Sequence, residues 1–133
     1  MTKGYMGRVL RVDLTTGHMT TQTFSDEVLR KYIGGSGLGA KILYEETDQY
    51  TDPLGPENRL IFMTGPVVGS KALDSGRYDV VTKSPLTGIF GESNSGGTFG
   101  PGLKSAGFDG IVFKGISAKP VYLFINSGEA ELR

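Results

Sequence analysis

No cysteine occurs among the 133 residues. That absence removes disulfides, thiol nucleophiles, thiolate zinc sites and cysteine-ligated iron–sulfur clusters from the chemistry these residues supply alone. The one histidine, His18, cannot build a His-rich metal site, and there is no tryptophan. No charge sign dominates either: 14 Lys and Arg stand against 14 Asp and Glu, with pI about 6.6. Such a chain lacks the basic field that draws nucleic acid or an anionic membrane surface. The longest apolar run, Val121 to Ile125, is five residues, against the ~20 needed to span a bilayer. Lys3, Arg8, Arg11 and Asp13 interrupt the start of the chain, a pattern that predicts no signal peptide and a cytoplasmic location.

Glycine is what the chain has in excess. Its 21 copies are more than twice the usual ~7% share, without a collagen or linker period. Length and composition predict a single globular α+β domain over residues 1–133, with mixed or antiparallel sheets and a few short helices. Tyr5 to Leu14 alternates, Thr15-Thr16-Gly17 supplies a turn, and Thr-rich His18 to Phe24 returns as the second strand of a hairpin. His18 beside that turn reads as a solvated loop residue. Ser25 is the expected N-cap of a helix whose apolar face is Val28, Leu29, Tyr32 and Ile33, ended by Gly34-Gly35. A second helix carries Leu38, Ile42 and Leu43. Strands are expected at Leu60–Thr64, Arg77–Lys83, from Ile89-Phe90, at Gly110–Lys114 and at Val121–Asn126, with a short helix over Pro101–Ala106. The chain stops inside a β pattern at Leu132-Arg133, which predicts a truncated domain.

Gly34-Gly35-Ser36-Gly37-Leu38-Gly39 has the wrong spacing for a dinucleotide fingerprint and follows a helix rather than a strand. A tight helix–helix junction is the reading it supports. A second glycine cluster is more informative, because 12 of the 21 glycines fall between Leu60 and Gly115. Within it, Asn94-Ser95-Gly96-Gly97 follows a strand and precedes a helix start, where successive N–H groups can form an anion-binding concavity. Arg77 opens a strand and, by period 2, shares one face with Asp79 and Lys83. Two readings stand: Arg77 and the loop bind phosphate, or Arg77 pairs with Asp79 and the glycines only make turns. No nucleophile elbow, phosphate-loop lysine or carboxylate dyad is present.

Several stretches together resemble the N-terminal domain of the tungsten-containing aldehyde:ferredoxin oxidoreductases. They are Gly7 to Gly17, Gly34 to Ala40, Asp52 to Asn58, Gly65-Pro66, Ser75 to Tyr78, Thr82 to Gly88, Asn94 to Gly97, and Phe99-Gly100 with Leu103-Lys104 and Ala106 to Gly110. The resemblance implies the first part of a two-sheet domain that cradles a tungsten or molybdenum bis-pterin. The whole enzyme would oxidise aldehydes to carboxylic acids and pass electrons through a [4Fe–4S] cluster to ferredoxin. By motif position, Arg77 would contact the pterin, and Asn94 would hold magnesium through its main-chain carbonyl. Gly96 would give backbone contact to the same cofactor, with Ser95 and Gly97 beside it. The resemblance implies no catalytic residue in this fragment, which would be inactive alone. Its implied partners are the remaining domains, ferredoxin and a second copy of the enzyme. The other reading is a non-catalytic subunit that binds a phosphate ligand or only supports a separate catalytic chain. Two departures stand out: Ser36 replaces the arginine usual in the first glycine motif, and Val67 to Asp74 differs from the family's usual loop.

Overall fold

A computed structural model describes residues 4–133; Lys3 lies outside the described residues. The expected hairpin is formed by Val9–Asp13 (β1) and Met19–Gln22 (β2), in register from Val9↔Gln22 to Val12↔Met19. Gly17 takes φ 71° at the turn, and the Asp13 carboxylate accepts the N–H groups of Thr15 and Thr16 at 2.9 and 3.2 Å. His18 is exposed, as expected.

Ser25 caps Asp26–Tyr32 (α1), its hydroxyl accepting the Val28 N–H at 3.3 Å. The expected apolar face loses its last member. Ile33 leaves the helix at φ 64°, ψ −67°, and is 59% exposed. The Gly34 N–H reaches back to the Tyr32 carbonyl at 2.7 Å, which makes Ile33 the centre of a γ-turn of the rare, strained hand. Gly35–Glu46 (α2) follows directly and buries Leu38, Ile42 and Leu43.

The remaining elements are Leu60–Thr64 (β3), Tyr78–Lys83 (β4), Phe90–Ser95 (β5), Phe99–Ser105 (α3), Gly110–Lys114 (β6), Leu123–Asn126 (β7) and Glu129–Leu132 (β8). The class is the expected α+β. Six strands form one mixed sheet in the order β2-β1-β6-β3-β4-β5, and β7-β8 is a separate hairpin. Among the described residues only β1 and β6 pair in parallel. Strand alternation divides the core between the two faces of the sheet. One face packs Val9, Ile61, Met63, Val81 and Val112 against α1 and α2. The other packs Leu10, Val12 and Ile111 against Leu103 of α3 and Phe108, with Phe62, Phe113, Leu123 and Ile125 alongside.

A buried ion pair ties the ends of this second layer together. Lys104 and Asp109 are 6% and 4% exposed and meet at 2.6 Å. Asp109 also accepts the N–H groups of Met6 and Gly7 at 3.0 and 2.7 Å, and Lys104 donates to the Gly4 carbonyl at 2.6 Å. Lys83 is buried as well. Its ammonium donates to the carbonyls of Asp48, Gln49 and Thr51 at 3.0, 3.0 and 2.8 Å and pins the loop after α2.

Candidate cofactor-phosphate site

Arg77 precedes β4 immediately, and side chains 77, 79, 81 and 83 alternate onto the α2 face, as period 2 predicts. β4 and β5 pair with Asp79 opposite Asn94, so these two side chains stand together on that same face. Asn94 lies within β5, and so does Ser95; the sequence placed both in the following loop. The correction matters for Ser95. One strand position from Asn94, and opposite Tyr78, its side chain projects from the other face. Gly96 and Gly97 do form the turn beyond the strand, with the positive φ at Gly97, 93°, and not at Gly96.

The local hydrogen bonds join these residues. Arg77 Nε donates to Asn94 Oδ1, and Asn94 Nδ2 donates to Asp79 Oδ1. Asp79 Oδ2 accepts the Ser36 N–H at 3.0 Å. Arg77 does not pair directly with Asp79: among the described residues no ion pair includes Arg77. Arg77, Asn94, Gly96 and Gly97 are all exposed. A Cβ built on Gly96 would sit 4.0 Å from Arg77 Nη1, and one on Gly97 meets nothing within 4 Å. An open shelf therefore lies beside a guanidinium that makes no direct ion pair among the described residues, although Asp74 and Asp79 line a pocket with it. That shallow pocket of about 270 Å³ is lined by Arg77, Asp79, Asn94 and Asp74 with Gly35 and Ser36.

The first glycine motif thus has more than one role. The Cβ missing from Gly37 would lie 2.3 Å from the Tyr32 carbonyl, which is the expected helix–helix approach. The others face the sheet. A Cβ would meet the Thr64 carbonyl at 2.6 Å from Gly34, Asp79 Oδ2 at 2.3 Å from Gly35, and the Val81 side chain at 2.9 Å from Gly39. Sequence reasoning left Asp79 and Ser36 out of the site. The available signal was the alternation of Asp79 with Arg77, joined to a glycine motif that opens a helix.

A family model for the aldehyde ferredoxin oxidoreductase N-terminal domain matches residues 9–133, nearly the whole chain. The chain belongs to the aldehyde ferredoxin oxidoreductase family. It is 48% identical over 130 residues to the tungsten-containing aldehyde ferredoxin oxidoreductase of Pyrococcus abyssi, covering 98% of this chain and 21% of that one. The aliphatic sulfonate oxidoreductase WOR-like subunit of Pyrococcus furiosus is 41% identical over 133 residues, covering 97% of this chain and 21% of its own. Among solved structures, the active-site complex BamBC of benzoyl coenzyme A reductase superposes with TM-score 0.97 at 40% identity, over 100% of this chain and 20% of that one. The chain spans about a fifth of the length of the curated relatives it matches. Further domains belong to those enzymes, and among the described residues no helix is long and apolar enough to cross a membrane.

Proposed function

We propose that this chain is the N-terminal, cofactor-holding part of a tungsten or molybdenum bis-pterin oxidoreductase that converts aldehydes to carboxylic acids with ferredoxin as electron acceptor. The observation that carries the reading is the exposed Arg77 guanidinium, in no direct ion pair among the described residues and held by Asn94 beside the Gly96-Gly97 shelf. Arginine donors suit phosphate oxygens, and a turn without side chains admits a bulky anionic group to backbone contact. When bound, the metal–pterin group supplies the redox chemistry, and this chain's residues hold its anionic periphery. Arg77 donates to it, the turn at Gly96 and Gly97 accommodates it, and Asn94 offers a main-chain carbonyl from an edge strand to magnesium. Ser95 is the weakest contact, because its side chain leaves from the opposite face. With no cysteine here, ligands for a [4Fe–4S] cluster come from the rest of the enzyme. Relatives named for aldehydes, sulfonates and benzoyl coenzyme A share the fold. Aldehyde is preferred because identity is 48% to the first against 41% and 40% to the others.

The test is pterin and metal content per folded full-length enzyme. A charged hydrogen bond is worth ~1.5–3 kcal/mol, so Arg77→Ala should lower cofactor retention about tenfold or more. Gly96→Val should do comparable harm by filling the space beside Nη1. The exposed Lys119→Ala serves as the control. Equal loading in all three variants would remove the site.

A further inference from the structure

Asp79 touches both the start of α2 and the residue holding Arg77. Gly35 makes this possible, for at φ 52° it brings the Ser36 N–H to the carboxylate where any Cβ would collide with Oδ2. We propose that Asp79 is a positioning residue: it fixes the direction of the Asn94 amide and, through it, the heading of the Arg77 guanidinium. The functional meaning of that heading rests on the cofactor reading above.

Hydrogen-bond polarity carries the argument. An ionised carboxylate accepts at both oxygens. With Oδ2 engaged by Ser36, Oδ1 can receive only a donor from Asn94, which must be Nδ2. The carbonyl oxygen of Asn94 is thereby turned to Arg77, whose Nε–H it accepts. Reversing the amide would set Nδ2 against Nε–H, donor against donor. With Nε fixed, the terminal nitrogens are carried toward the open space at Gly96.

The rival account is that Asp79 only caps α2, whose N-cap Gly34 supplies no side-chain bond. The isosteric Asp79→Asn separates the two. An amide has one acceptor oxygen. If that oxygen keeps the Ser36 N–H, its NH2 faces Asn94, which must flip and then opposes Arg77. The cap survives while the hold on Arg77 is lost.

The readout is hydrogen exchange of the Arg77 side-chain Nε–H in the 133-residue chain, its NMR signal assigned by its loss in Arg77→Lys. Asp79→Asn and Asn94→Ala should each accelerate that exchange at least tenfold. The Ser36 amide should remain protected in Asp79→Asn, and amide dispersion should report an intact fold. Unchanged Nε–H exchange in Asp79→Asn would overturn the proposal. A second arm measures pterin content of the full-length enzyme. Asp79→Asn should lower it, and adding Asp79→Asn to Arg77→Ala should lower it no further than Arg77→Ala alone. Additive losses would mean that Asp79 does not act through Arg77. Normal loading of Arg77→Ala would refute the cofactor reading, and the exchange measurement would still decide the role of Asp79.

Discussion

Asp109→Asn should be among the most damaging single substitutions outside the site. The side chain keeps its shape and loses its charge. Its carboxylate receives two backbone N–H groups and the Lys104 ammonium, and an amide can serve only part of that set. Lys104, 6% exposed, then stays buried with no counter-charge. Breaking a buried pair from one side costs ~3–5 kcal/mol. At ~2.1 cal/mol/K per residue, the 133 residues unfold with an entropy of roughly 0.28 kcal/mol/K, so the melting temperature should fall by about 11–18 °C. Circular dichroism melts and urea titrations at constant m-value measure this. Combining Asp109→Asn with Lys104→Met removes the stranded charge, so the double variant should cost less than the sum of the singles. A melting temperature within about 3 °C of wild type for Asp109→Asn, or strict additivity in the pair, would refute the reasoning.

Ile33→Gly should stabilise the chain by about 1 kcal/mol. Relief of a strained backbone worth ~1–3 kcal/mol outweighs the entropy glycine adds to the unfolded state, and little burial is lost at 59% exposure; a lower urea midpoint would show that the turn is unstrained. The Thr51 hydroxyl, followed by the Tyr50 N–H, holds the Asp48 carboxyl below the ordinary aspartate range. Its contribution to stability is therefore present above the unfolded-state pKa of ~3.9 and is lost as pH falls through the lower folded value. Thr51→Val should move the Asp48 carbon-13 titration upward, and an unmoved midpoint would contradict that cause.

Local signals in the sequence located most elements because each rests on neighbouring residues. The Ser25 cap, the Gly17 turn and the strands at Leu60–Thr64 and Gly110–Lys114 are of this kind. For Arg77 and the Asn94–Gly97 stretch the residues alone leave two readings open, and it is the family resemblance that draws them together; the structure brings Arg77 Nε to Asn94 Oδ1. What stayed hidden depends on pairing between distant segments. Asn94 belongs to a strand because β4 supplies its partner, and its side chain has no turn-forming role there. Lys83 shares a strand face with Arg77, yet the loop after α2 surrounds its ammonium with carbonyls. The γ-turn at Ile33 contradicts local propensity, and only its place between two helices and the Tyr5 hydroxyl, which donates to the Ile33 carbonyl at 2.6 Å, accounts for it.

The strand order also governs when the sheet can be assembled. β6 lies between β1 and β3, with Val9 opposite Gly110. The β1–β2 hairpin leaves the ribosome before β6 and therefore has no sheet to join until residues near Gly110 follow it. Until then the inner edge of β1 is open and the apolar side chains of Val9, Leu10 and Val12 lack their β6 neighbours. Contacts closed across so long a separation form slowly, and an open strand edge invites pairing with other chains in the interval. The β1–β2 hairpin, made before β3, β4 and β5, thus joins them only after all three, and a nascent chain that stalls before Gly110 exposes the seam on which the finished sheet closes.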